Sequence, residues 1–282
     1  MSSRPNGGSL LDGYLTRGAV TPDHAAYLRR VRLRNLAVGT AQILLLLLFF
    51  ACWEWAAGEK LINDFLTSKP SLIWATFRRL AADGSIFRHI GFTCLETVAG
   101  FLIGTVVGIL IAVLLWWSDF LSRVLDPYLI ILNSTPKVAF GPIFIVWLGS
   151  TYWTIIAMAL AISIIITVTV VYSGFQNVDP NKIKVLRTFG ATRWQIMRQV
   201  VLPASVPTMM AALKVNVGLS FVGVITGEFL VSKAGLGYLI IYGGQVFNLG
   251  LVMTSVLILC VMAGLLYRSV AYLESYFSKW NE

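Results

Sequence analysis

The sequence predicts an all-α membrane protein with six transmembrane helices, and three observations carry the prediction. The chain has 282 residues, 57% hydrophobic and only 12% charged, where a soluble domain carries roughly 25% charge. Its mean hydropathy is +0.77. Charge-free apolar runs recur at the length a bilayer demands, about 20 residues. The net charge of +9 could suggest nucleic acid, but aromatic-laced basic patches are missing and the arginines flank apolar runs. Membrane topology accounts for the charge, and no nucleic-acid partner is expected.

Residues 1–35 read as a basic tail. Thr21-Pro22 is an N-cap and first helical residue. The helix it opens carries Arg29, Arg30, Arg32 and Arg34 toward lipid headgroups, as an interfacial helix on anionic lipid would. No secretory signal is expected, because this polar stretch precedes the first apolar run. Residues 36–282 form the membrane domain. Leu36–Trp53 is the first span and Thr97–Ser118 the second, with Glu54–Arg88 as an outer amphipathic segment. From Val138 to Val178 no charge occurs, too long a run for one helix. Gly149-Ser150-Thr151 supplies a turn, giving a third span near Pro127–Leu148 and a fourth near Tyr152–Gly174. The fifth runs from about Ala204 to Leu230 and the sixth from about Val246 to Tyr267.

Orientation follows from lysine and arginine. Arg4 and Arg17 join the tail arginines. Lys182, Lys184, Arg187, Arg193 and Arg198 lie between spans four and five, and Arg268 and Lys279 follow span six. Six spans put these regions on one side, so both termini are expected in the cytoplasm.

Little points to catalysis. HExxH, GxSxG and GxxxxGK[ST] are all absent, and no histidine stands in a span to act as a base. His24 and His89 are isolated, so no metal site is expected. Cys52, Cys94 and Cys260 lack CxxC spacing and read as packing residues. Gly100, Gly104 and Gly108 form a double GxxxG, with Gly223 and Gly227 repeating the spacing; such faces admit a close neighbouring helix. With no second repeat in the chain, the first face suits a second copy.

Lys137 is the sharpest intramembrane signal. Ten residues beyond Pro127 at 1.5 Å each place it about 15 Å deep, among Asn133, Ser134, Thr135, Pro136 and Pro142. Charge and broken backbone at that depth face protein or a water-filled path. Lys137 suits either a cationic lining for anions or an internal partner for Glu96, and the pair is the blander reading. Lys214 and Glu228 bracket span five on one face, about 21 Å apart. The candidate pathway residues are Asn133, Ser134, Lys137, Glu96, Asn216 and Glu228.

The loop of residues 178–203 is the most structured connection. Asp179 caps a helix that starts at Pro180 and carries Lys182, Lys184 and Arg187. Gly190 stops it in the left-handed conformation. Thr192 caps a second helix, starting at Arg193, with Gln195 completing a capping box. Leu202-Pro203 is read as the end of that helix and the turn into span five. The product is a rigid basic knob suited to transmitting force.

Here the chain resembles the permeases of binding-protein-dependent ABC importers. Their loop has the pattern EAA, three residues, Gly, nine residues, Ile, one residue, Leu-Pro. Gly190, Val200 and Leu202-Pro203 match at the right spacing, whereas Lys184, Val185 and Leu186 occupy the EAA positions. Asn133–Gly149, Gly190–Gln195 and Gly227–Ile240 resemble the nitrate, sulfonate and taurine subgroup, and the likeness covers roughly Phe92 to Glu274. The resemblance implies a type I ABC importer permease domain over residues 36–282, in a bacterial cytoplasmic (inner) membrane. It implies a coupling helix between spans four and five, a second copy of the permease and two cytoplasmic ATPase subunits. An external substrate-binding protein and membrane lipid complete the partners. ATP and Mg would sit on the ATPase, and this chain would bind no cofactor and be no enzyme. Because a basic residue stands at the family's first acidic position, the groove receiving the loop should be more acidic than usual. A sulfonate, taurine or nitrate-like anion is the leading substrate. A thiamine- or riboflavin-related precursor is the alternative. An ion-coupled secondary transporter using Lys137, Glu96 and Glu228 is the rival from another class.

Overall fold

The computed structural model describes residues 20–278; Arg4, Arg17 and Lys279 lie outside them. The described residues contain helices and no strand. The chain divides into two compact units, residues 1–71 and 72–282, each taken by itself below.

In the first unit, α1 spans Pro22–Gly58 and α2 spans Asp64–Thr67. Thr21 caps α1, its hydroxyl accepting from the His24 N–H at 3.2 Å, and Pro22 opens the helix. The predicted interfacial helix and the first span are therefore one element of 37 residues, about 55 Å long. The boundary expected at residue 35 falls inside it, because nothing there breaks the helical hydrogen bonds. Glu54 receives the Ser71 N–H at 2.9 Å and its hydroxyl at 2.8 Å, tying the following chain back to the end of α1.

α3 is Pro70–Ala82, within the amphipathic segment expected over Glu54–Arg88. In the second unit, α4 is Ser85–Trp117 and α5 is Asp119–Ser134. A 3-10 turn, Lys137–Phe140, leads into α6, Gly141–Leu148. α5 and the segment 137–148 meet at 96°, so the third span is broken at Lys137. Gly149, at φ 72°, makes the turn into α7, Tyr152–Gln176. α8 is Pro180–Thr188 and α9 is Arg193–Ile196. A π turn, Met197–Val201, joins α9 to α10, Leu202–Val231. α11, Leu236–Gln245, and α12, Leu249–Ser278, complete the described chain. Among the described residues, five helices are long and apolar enough to cross a membrane, and the spans number six if the bent pair counts as one.

The third span begins earlier than expected. Ser118 caps α5 by accepting from the Leu121 N–H at 3.2 Å, and Pro127 lies inside the helix rather than at its start. Asp126 is thereby carried well into the span.

α7 is the centre of the second unit. A methyl group on Gly100 would lie 2.7 Å from Ala159 Cβ, one on Gly108 would lie 2.6 Å from Thr167 Cβ, and one on Gly104 would overlap Ser163. From the other side, a methyl on Gly223 would lie 2.5 Å from Ala159 Cα and one on Gly227 2.8 Å from Ile155 Cα. The small-residue face of α4 thus packs on α7 within one chain, and it is not free for a second copy. Without a hydrophobic drive between helices in lipid, such close approach is what supplies the attraction. Cys94 packs beside the core of Ile86, Phe221 and Leu236, whereas Cys52 and Cys260 are exposed; all three are free thiols.

Candidate coupling element and translocation pathway

The loop before α10 is built from local hydrogen bonds. Asp179 Oδ1 accepts from the Asn181 N–H at 2.9 Å, and Pro180 opens α8. At the other end, the Gly190 N–H donates to the Arg187 carbonyl at 3.0 Å and the Ala191 N–H to that of Leu186 at 3.1 Å. This pair of bonds is the Schellman stop, and it needs a left-handed residue, which Gly190 is at φ 77°. Thr192 and Gln195 then close a capping box. The Thr192 N–H donates to Gln195 Oε1 at 2.7 Å and the Gln195 N–H to Thr192 Oγ1 at 3.3 Å.

The expected break at Leu202-Pro203 does not occur. The helix that starts at Arg193 runs to Val231 as one element of 39 residues. Pro203 lacks an N–H and its ring crowds the carbonyl four residues back, that of Gln199. The wide turn Met197–Val201, where the Leu202 N–H reaches back to the Met197 carbonyl, relieves that crowding without ending the helix.

α8 rests on the second unit through Ile183 and Leu186, which pack against Ala112, Val171, Phe175, Ile196 and Met197. Its opposite side is apolar and bare: Val185 is 51% and Phe189 84% exposed. The basic residues divide. Lys184 and Arg187 turn toward a cavity of about 330 Å³ shared with Arg193, Asp119 and Trp116. Arg193 Nη1 donates to the Trp117 carbonyl at 2.7 Å, tying the second helix of the loop to the end of α4. Lys182 lies apart, over a groove with Gln199 and Pro203.

The candidate pathway residues also divide. Lys137 stands at the break of the third span and its ammonium donates to the Asn133 carbonyl, closing the C-terminal end of α5. Asn133 and Ser134 line a cleft of about 230 Å³ between α5 and α7, together with Asp126, Thr169, Ser173 and Gln176. Sequence reasoning missed the last four. Their trace was the spacing of Thr169, Ser173 and Gln176, one face of an otherwise apolar helix.

Glu96, Asn216 and Glu228 lie elsewhere, inside the helix packing. Asn216 is 1% exposed and donates through Nδ2 to Thr105 Oγ1 at 2.9 Å, joining α10 to α4. Glu228, also 1% exposed, is a remote cap for α11. Its Oε2 accepts from the Gly237 N–H at 2.5 Å and its Oε1 from the Thr93 hydroxyl at 2.6 Å. Thr93 Oγ1 in turn accepts from the Leu236 N–H at 2.8 Å, and His89 Nδ1 from the Gly235 N–H at 3.0 Å. Three side chains thus answer the open N–H groups of one helix start, with the carboxyl of Glu96 lying against that of Glu228. A side chain at Gly235 would overlap the Glu228 carboxyl, which explains the glycines of the GLGY stretch. Glu96 is therefore the neighbour of Glu228, and the expected pair with Lys137 does not form. Lys214 pairs with Glu274 of α12.

Among the described residues no group of three or more His, Cys, Asp or Glu could hold a metal. A broken span, a polar cleft at membrane depth and a capped knob continuous with a long span define the chain as a helical membrane permease component. The chain belongs to the family described as binding-protein-dependent transport system inner membrane component, which matches residues 104–280. It is 27% identical to SsuC of Bacillus subtilis (strain 168), named for aliphatic sulfonates transport, over 85% of this chain and 87% of that protein. It is 25% identical to the formylaminopyrimidine transport permease protein ThiX of Halalkalibacterium halodurans, over 85% of this chain and 95% of that one. With the taurine transport system permease protein TauC of Escherichia coli it shares 21% identity over 88% of this chain and 90% of the relative. Two solved structures share the fold. The MetNI methionine ABC transporter in inward-facing form matches at TM-score 0.60, with 21% identity, over 68% of this chain and 95% of that one. A bacterial ABC transporter involved in alginate import matches at TM-score 0.63, with 15% identity, over 87% and 97%. The fold is that of type I ABC importer permeases.

Proposed function

We propose that this chain is the pathway-forming subunit of an ATP-driven importer. It works as two copies with two cytoplasmic ATPase subunits and an external binding protein that delivers a small polar solute. The observation that carries the proposal is the knob of residues 179–196, fixed by a Schellman stop and a capping box and continuous with the helix Arg193–Val231. A motion imposed on α8 then reaches a membrane span without crossing a flexible joint. The knob seats in the ATPase through Val185 and Phe189, whose exposed apolar surface is the natural anchor of such an interface, while Lys182 adds charge at its edge. Both termini lie on the ATPase side. Relatives named for aliphatic sulfonates and taurine support a sulfonate-type solute. The relative named for formylaminopyrimidine supports the second reading, a thiamine-related precursor. An ion-coupled transporter gains little from the packing, since Glu228 is spent on the start of α11 and Glu96 packs against it, away from Lys137.

The test is co-purification with the cognate ATPase in mild detergent. The wild-type chain should bring down ATPase in equal amount, and Phe189→Asp should lose most of it while remaining in the membrane. A chain that transports solute without any ATPase would refute the proposal.

A further inference from the structure

The cleft between α5 and α7 is lined by Asp126, Asn133, Ser134, Thr169, Ser173 and Gln176, with Leu129, Ile130 and Tyr172 completing its wall; the Tyr172 hydroxyl accepts from the Gln176 amide at 2.8 Å. α5 starts at Asp119, so Asp126 stands about 10 Å along the helix from that end. It makes no ion pair or hydrogen bond among the described residues. Thr169, Ser173 and Gln176 form an exposed row on α7, whose other side buries Val168, Val171 and Phe175. Hydrocarbon cannot cover a free carboxylate and a row of hydroxyls and amides at low cost. The occupant of this cleft is therefore aqueous, and a solute passing through meets these groups.

The charge of the cleft selects what passes. No lysine or arginine lines it. The ammonium of Lys137, just beyond Asn133, donates to the Asn133 carbonyl and keeps its charge. At the opposite end the Asp126 carboxylate has no partner of its own. A simple anion could be drawn to the Lys137 ammonium but would leave the Asp126 carboxylate unpaired in the same cleft. A protonated amine would pair with it, and an oxyanion elsewhere on the same molecule could still take hydrogen bonds from the side-chain amides of Asn133 and Gln176.

We propose that the cleft is a solute subsite in which Asp126 receives a protonated amino group, so that the cargo is an amine-bearing polar solute and not a plain anion. This rests on the permease reading above and narrows its substrate class, favouring aminosulfonates over alkanesulfonates and nitrate. Asp126 is the specificity-determining residue, and the polar row of α7 forms the facing wall.

The test uses Ser173→Cys in the full chain, assembled with its ATPase in nanodiscs and labelled with a small thiol reagent, with the wild-type chain as the blank. Taurine should slow labelling several-fold. Ethanesulfonate, the same molecule without the amine, should leave the rate unchanged. Adding Asp126→Asn should abolish protection by taurine while the unprotected labelling rate stays as it was, showing that the cleft is intact. Equal protection by ethanesulfonate, protection that survives Asp126→Asn, or an inert cysteine at position 173 would each overturn the proposal. Failure of the ATPase to co-purify would count against the importer reading alone, because the labelling pattern of the permease still decides what the cleft accepts.

Discussion

Glu228 shows how one buried carboxylate can organise a membrane protein without touching its cargo. It accepts from Gly237 and Thr93, and Thr93 passes the connection on to Leu236. Removing it strands the Thr93 hydroxyl and the Gly237 N–H in an apolar setting, at about 1–3 kcal/mol for each buried group left unpaired. Glu228→Ala should therefore lower the thermal midpoint of the detergent-solubilised protein substantially, measured by loss of the monodisperse peak on heating. Glu228→Gln, which keeps one acceptor, should lose less. This role was not legible from the sequence, because Thr93 stands 135 positions away and nothing local announces the contact. Only the glycines at 235 and 237 hinted that something large approaches the backbone there.

Among the elements, the loop before α10 was the most legible, since caps and stops are chemistry between residues two to five apart. Asp179, Gly190, Thr192 and Gln195 do what their types and spacing predict. The expected break at Pro203 failed for a reason spacing does not encode: the chain absorbs a proline by widening one turn. The start of α5 failed similarly. Ser118-Asp119 and Asp126-Pro127 are both credible helix starts, and the first one wins, which moves Asp126 from a cap into the span. Gly190 has open space around it, with nothing within 4 Å of an added Cβ, so a substitution there acts through backbone alone. Gly190→Val should cost about 1–2 kcal/mol of local strain and reorient α8 against α9. The expected outcome is a correctly inserted protein whose ATPase still hydrolyses ATP but whose solute uptake falls, read from paired hydrolysis and uptake assays in proteoliposomes.

At the scale of the molecule, the knob is strung between α7 and α10, and those two helices meet almost backbone to backbone at Gly223, Gly227 and Ala159. α4 closes on α7 through Gly100, Gly104 and Gly108, so the three helices form one body. A push on α8 is delivered to that body as a whole. Overpacking it should be costly: Gly104→Ile must displace Ser163 and should destabilise by about 1–3 kcal/mol. Gly39→Ile, with nothing within 4 Å, should change stability by no more than about 0.5 kcal/mol. Thermal unfolding of the two variants side by side measures the difference. The small-residue rows were visible in the sequence, but their partner was not. GxxxG states that a helix will approach closely, and it is silent on whether that helix belongs to the same chain.

The wide turn at Met197–Val201 also acts as a phase setting between knob and span. In an ordinary helix each residue advances the chain by about 100°, so the number of residues between Gly190 and Pro203 fixes the compass direction in which α8 points as seen down α10. The π turn stores one residue beyond the regular count. Inserting one alanine beside Gln199, where the turn already holds its extra residue, would swing α8 about a quarter-turn around the span axis, with every cap left intact. Such a chain should insert normally and still fail to retain its ATPase on co-purification, because its key would be cut correctly and presented at the wrong angle.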